Sequence, residues 1–217
     1  MEKKNNVTEL VFIIDKSGSM AGLVDDTIGG FNGFLERERT KEGECLVTTV
    51  LFDDKYVTLH DRVPIREVPK MTEKDYRAGG CTALIDALGD TIRHISDIHR
   101  YARKEDVPDN TIFVITTDGM ENSSHKYTSD EVKTMIRKKS DENWNFIFLA
   151  ANIDAVETAK TYGIREEHAV NYCADKIGTK MAYGAMELAV SSLRETGSVY
   201  EKWGEEVAAD HKKRKKR

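Results

Sequence analysis

Leu10-Val11-Phe12-Ile13-Ile14 is an unbroken apolar run that ends in Asp15. Continuous apolarity over that length predicts a central strand over residues 8–15, covered on both faces. Behind it, Val24, Ile28, Phe31, Phe34 and Leu35 recur at three- and four-residue steps. That spacing marks one face of a helix over residues 24–39. Residues 46–52 read as a second continuous strand, Asp53-Asp54-Lys55 as a turn, and residues 56–60 as a third strand. The tight connection predicts a hairpin, and therefore one antiparallel strand. Pro64 and Pro69 keep the next segment extended or looped.

Thr82 opens the longest helical pattern, through Leu84, Leu88, Ile92, Ile95, Ile98 and Ala102, and Pro108-Asp109-Asn110 breaks it. Thr111-Ile112-Phe113-Val114-Ile115 reads as a strand. Thr128-Ser129-Asp130-Glu131 has the spacing of a capping box, with Thr128 as cap and Glu131 reaching back. The helix it starts carries Val132, Met135 and Ile136. Phe146-Ile147-Phe148-Leu149 is a further strand, residues 155–162 a short helix, residues 169–172 a weak edge strand and residues 181–193 a last amphipathic helix. The alternation predicts an α/β fold: a doubly wound, mainly parallel six-stranded sheet with one antiparallel edge strand and helices on both faces. Residues 1–195 make the domain. Residues 196–217 are a C-terminal extension, with a helical pattern at 199–209 and a basic run from His211 to the end. The run reads as a disordered, solvated end, or as a contact for nucleic acid, an anionic membrane or an acidic protein.

Composition narrows the class. Apolar residues make up 39% of the 217 and charged residues 33%, with a net charge of -5. That balance speaks against nucleic acid as a partner of the domain, the basic tail excepted. No apolar run reaches membrane-spanning length, and the polar Met1-Glu2-Lys3-Lys4-Asn5-Asn6 leads straight into the first strand, so the expected location is cytoplasmic. Cys45, Cys81 and Cys173 are odd in number, far apart and without a CxxC, which predicts free thiols in a reducing compartment. Cys81 reads as a small residue filling a loop.

The chemistry gathers at three turns. Asp15-Lys16-Ser17-Gly18-Ser19-Met20 follows the first strand, Gly79-Gly80-Cys81-Thr82 precedes the longest helix, and Thr116-Thr117-Asp118-Gly119 follows another apolar strand. In an open α/β sheet, sites form at the carboxyl ends of strands. The turns supply Asp15, Ser17, Ser19, Thr82 and Asp118, all hard oxygen donors. Any one of them alone reads as a cap or turn former; together, on three turns, they point to a cation.

Asp-x-Ser-Gly-Ser, Gly-Gly-x-Thr and Thr-Asp-Gly, in that order, resemble the metal-ion-dependent adhesion site of von Willebrand factor type A domains. The resemblance covers residues 7–195 and is strongest to bacterial single-domain members. It implies the same doubly wound fold. It implies that Ser17, Ser19 and Thr82 touch the ion directly or nearly so, and that Asp15 and Asp118 hold it partly through water. Magnesium suits an all-oxygen set, and manganese or calcium can replace it. Two carboxylates balance a dication formally while hydroxyls donate weakly, so the ion stays electrophilic and a partner's Glu or Asp can fill an open place. The resemblance therefore implies a metal-dependent protein-binding adaptor, with an AAA ATPase or a stress-response complex among its partner classes.

Around this set, Lys16 reads as pointing to solvent. Glu121, Asn122 and Ser123 read as a partner-reading rim or a solvated loop, and Met20 and Leu23 as added contact or ordinary packing. Asp86, Asp90 and His94 share a helix face at i, i+4 and i+8, the pattern of a solvated or ion-paired face more than of a ligand stripe. GxSxG, the P-loop and GxGxxG are absent. The enzymatic rival is a magnesium-dependent phosphatase of the haloacid-dehalogenase type, with Asp15 as nucleophile. That chemistry wants a second Asp two residues later as acid and base. Ser17 stands there, so the expectation is a protein that is not an enzyme.

Overall fold

The computed structural model describes residues 7–215. Its strands are β1 (Val7–Asp15), β2 (Glu44–Phe52), β3 (Tyr56–Pro64), β4 (Asn110–Thr117), β5 (Trp144–Ala150) and β6 (Ala169–Asn171). Its helices are α1 (Val24–Glu38), α2 (Leu84–Tyr101), α3 (Ser129–Asp141), α4 (Ala155–Thr161), α5 (Lys176–Thr196) and α6 (Glu205–Lys215). The six strands form one sheet in the order β3-β2-β1-β4-β5-β6, parallel throughout except for β3 against β2. The chain leaves β1 toward β2 on one side and later enters β4 on the other. The carboxyl ends of β1 and β4 therefore flank the point where strand order reverses, which is where such sheets leave a crevice.

Alternate side chains of each central strand go to opposite faces. Leu10, Phe12 and Ile14 of β1 join Val114 of β4 under α1, α5 and α6. Val11 and Ile13 join Phe113, Ile115 and Phe148 under α2, α3 and α4. Phe12 meets Phe31 and Phe34 of α1 edge-on, with ring centroids 5.2 and 5.3 Å apart, an arrangement that adds to simple burial. α1 and α5 pack unusually close at Gly30, where a Cβ would come within 2.2 Å of the Tyr183 ring. At the other end of the same pair, buried Glu38 accepts from Arg194 at 2.6 Å, from Ser191 at 2.8 Å and from Lys41 at 2.5 Å.

The elements depart from the sequence expectation mainly at their ends. β3 continues to Pro64, which an edge strand tolerates because its outer side needs no N–H donor. β4 gains Thr116 and Thr117, which pair with Leu149 and Ala150. α5 begins at Lys176, five residues before its apolar stripe, because Asp175 caps it by accepting the Gly178 N–H at 2.8 Å. The last helix begins at Glu205. Residues 201–204 form a turn instead, from which Trp203 inserts into the core and donates its indole N–H to the Glu167 carbonyl at 2.9 Å. The basic run is helical as far as Lys215, which corrects its reading as a disordered end: Arg214 binds Asp210 one turn back and Asp175 at the cap of α5. Lys216 and Arg217 lie outside the described residues. The three thiols are free, and no described helix is long and apolar enough to cross a membrane.

Candidate metal centre

Asp15 closes β1 and is fully buried. One carboxylate oxygen accepts the Ser17 N–H at 2.7 Å, which folds the chain into a tight turn directly after the strand. The other accepts the Thr117 hydroxyl at 2.5 Å, which ties the ends of β1 and β4 together. Tyr76, itself fully buried, donates its hydroxyl to the Asp15 carbonyl. Above this base, the Ser17 and Ser19 hydroxyl oxygens lie 3.1 Å apart, and Ser19 donates to Asp118 at 2.5 Å. Ser19 Oγ and Thr82 Oγ1 each lie 3.6 Å from where a Cβ on Gly119 would stand, so the bare glycine leaves room between two turns. All five sequence-predicted residues are thus gathered at one place.

Backbone hydrogen bonds hold the turns in register. Gly18 N–H donates to the Gly80 carbonyl at 3.0 Å and Gly79 N–H to the Lys16 carbonyl at 2.9 Å, which laces the first turn to the second. Lys16 N–H bonds the Phe52 carbonyl and Ala83 N–H the Asp53 carbonyl, each at 2.8 Å, which fixes both to the end of β2. Asn122 then clamps Thr82 from both sides, its side chain accepting the Thr82 N–H at 2.9 Å and its own N–H donating to the Thr82 carbonyl at 3.0 Å. Gly80 has φ +73°, and a Cβ there would meet the Asp54 carboxylate at 2.8 Å. Both facts demand glycine.

Several neighbours differ from their sequence reading. Lys16 is not in open solvent but paired with Asp53. Glu121 and Asn122 are not a free rim. Glu121 accepts N–H groups from Ile85, Ser123 and Ser124, each at 2.8 Å, and so pins the loop after β4 to the start of α2. Met20 and Leu23, by contrast, follow the second of their two readings and are buried packing residues. Asp86 accepts the N–H groups of His125, Lys126 and Tyr127, Asp90 binds Lys126 and the Tyr127 hydroxyl, and His94 meets Asp61 at 2.9 Å. That helix face therefore anchors a loop. Sequence reasoning missed Tyr76 and Thr117 as supports, and Met120, which stands 71% exposed beside Asp118.

Burial pushes the Asp15 carboxyl above its ordinary pKa, against the opposing hydrogen bonds from Thr117 and Ser17. Burial does the same to Asp118, against the Ser19 hydroxyl. Among the described residues neither acid has an ion-pair partner. Two unpaired buried acids with three hydroxyls fit a hard dication, which prefers oxygen ligands and supplies the missing positive charge. Among the described residues, no group of three or more His, Cys, Asp or Glu side chains is placed to hold a metal ion, so a cation here would rely on two carboxylates and the hydroxyls.

No family model and no curated protein matches the chain. Solved structures do match. The manganese-loaded TRAP protein of Plasmodium vivax is 16% identical over 83% of this chain and 73% of its own, with a TM-score of 0.56. A von Willebrand factor type A structure from Catenulispora acidiphila is 15% identical over 86% of this chain, with a TM-score of 0.58. The corresponding domain of the type V pili tip protein Mfa5 of Porphyromonas gingivalis is 11% identical over 89% of this chain and 98% of its own, with a TM-score of 0.60. The fold is that of a von Willebrand factor type A domain. The chain spans 42% of the Catenulispora chain, less than half its length. Within this type A fold the three laced turns stand at the reversal of strand order, between β1 and β4.

Proposed function

We propose that this type A domain is a divalent-cation-dependent protein-interaction module. Asp15, Ser17, Ser19, Thr82 and Asp118 hold Mg²⁺, with Mn²⁺ or Ca²⁺ as substitutes, and the ion accepts an Asp or Glu of a partner protein. The observation that carries this reading is the pair of buried acids, unpaired with any cation among the described residues and gathered with three hydroxyls from two turns. When bound, the dication supplies an electrophilic centre for a carboxylate, a bond stronger than a neutral hydrogen bond. The chain's own work is positional. Asp15 and Thr117 keep β1 and β4 in register, Asn122 sets the Thr82 hydroxyl, and Gly119 leaves the space open. Met120 adds a flexible apolar contact beside the ion, of the kind protein interfaces use.

The manganese named for the Plasmodium TRAP structure fits a cation in this fold. A cytoplasmic adaptor serving an AAA ATPase or a stress-response complex is the setting the site resemblance suggests, and three free thiols suit it. Hydrolase chemistry is disfavoured because Ser17 stands where a second acid would have to act.

Calorimetric titration of the chelated protein with Mg²⁺ and Mn²⁺ tests the metal. Saturable binding that is lost in Ser17→Ala and Thr82→Ala is expected, as is a lysate pull-down whose product disappears with chelator. No heat with either ion removes the proposal. Magnesium-dependent phosphatase turnover that is lost in Asp15→Asn replaces it with the hydrolase.

A further inference from the structure

The basic end of α6 stands at the same edge of the sheet as the candidate metal centre. The segment leading into α6 starts low on β6, where Trp203 bonds the Glu167 carbonyl and Gly204 packs on Val170. Val207 is buried in the core cluster. Arg214 then pairs with Asp175, the cap residue just beyond the carboxyl end of β6. The helix therefore runs the same way as the parallel strands, about 16 Å over its length at about 1.5 Å per residue. It delivers Lys212, Lys213 and Lys215 to the rim, all exposed. Among the described residues no acidic group pairs with any of the three, whereas Arg214 is satisfied by Asp175 and Asp210. Lys176, at the start of α5, lies between α6 and α1. It lines one cleft with Glu206 and Val207 of α6 and another with Asp25 and Asp26 of α1.

Cationic residues in a last turn favour the helix dipole, and that alone accounts for their presence on α6. It does not account for Arg214, which fastens this end of the helix to the rim and so holds three unpaired positive charges in a fixed position. On a chain of net charge -5 that cluster is a local exception, and its charge complements an acidic segment.

We propose that the partner presents an acidic tract, not a single acidic side chain. One carboxylate goes to the metal centre, and others about five residues away go to Lys212, Lys213 and Lys215. This rests on the metal-centre reading above. Two strand spacings separate β4 from β6, roughly 10 Å, and a helix on the sheet face adds about one helix diameter, roughly 10 Å. An extended chain covers the combined distance of roughly 15 Å in about five residues.

The test is an NMR titration of the full chain in Mg²⁺ with two synthetic peptides of equal length on a Gly/Ser background. One carries a single Glu; the other carries the same Glu followed, about five residues on, by three more. The second is expected to bind about tenfold tighter at low ionic strength. That gain should vanish in about 0.5 M salt. It should also vanish in the Lys212→Gln, Lys213→Gln, Lys215→Gln triple variant, which keeps Arg214 and should keep the single-Glu affinity. Equal affinity of both peptides for the unaltered chain overturns the acidic tract and leaves the metal centre standing. Failure of both peptides to bind in Mg²⁺ removes the carboxylate-accepting role of the metal centre, and the tract with it, whatever the calorimetry shows for the ion. A short oligouridylate that binds tighter than the four-Glu peptide, through the same three lysines, overturns the tract in favour of nucleic acid.

Discussion

Asp15 is held by two hydrogen bonds, and burial still keeps its pKa above the ordinary carboxylate value. An acid whose pKa is higher folded than unfolded prefers its proton in the folded state. Stability without metal is then greatest below the unfolded pKa and is lost as pH rises through the folded one. Asp118 has the same sign for the same reason. At neutral pH the domain without metal therefore carries both penalties, and the proposed dication would relieve them. Asp15→Asn removes one penalty and keeps the shape of the group. In chelator the variant is expected to melt about 2–4 °C above the parent for each kcal/mol relieved, and Mg²⁺ should no longer shift its melting temperature. The shift in the parent should be larger near neutral pH than near pH 5, where protons compete for the same oxygens. A variant that melts lower in chelator would mean that the two hydrogen bonds outweigh the cost of burial.

The pairing of α1 with α5 depends on Glu38 and Arg194, buried at 0% and 8% exposure. Removing one partner of such a pair leaves a charge in the core. Arg194→Leu is expected to cost about 3 kcal/mol in urea unfolding, with Lys41 and Ser191 softening the loss. The double variant Glu38→Leu, Arg194→Leu should recover part of it. Such ties are invisible in the sequence because their partners are 156 positions apart. Lys16 was misread for the same reason, its partner Asp53 lying 37 residues on. What periodicity and local spacing can report was legible: the strands, the capping box at Thr128 and Glu131, and the turns that carry the five oxygen-bearing residues. The first turn of α5 was not legible, since exposed Ile177 and small Gly178 interrupt its stripe. Nor was the start of α6. Val199, Trp203 and Val207 recur every four residues and mimic a helix, but the structure puts a turn between the first and the last.

For the molecule as a whole, alternation of strands and helices announced a parallel sheet, but the order of its strands follows from the direction each crossover takes, which no local pattern records. The segment after α5 shows the same dependence. Trp203 and Val207 belong to the core under α5, so this segment helps to cover β6. Trp203→Ala is expected to cost about 3–5 kcal/mol, whereas deletion of residues 211–217 should leave Mg²⁺ binding in calorimetry unchanged. Loss of metal binding on that deletion would mean that the end of α6 supports the centre itself.

The lacing of Gly18 to Gly80 and of Gly79 to Lys16 uses main-chain atoms alone. The hydroxyls of Ser17, Ser19 and Thr82 can therefore be replaced without breaking these main-chain ties. The cradle would then outlast the ion proposed for it, its shape set by peptide groups and not by the oxygens it presents.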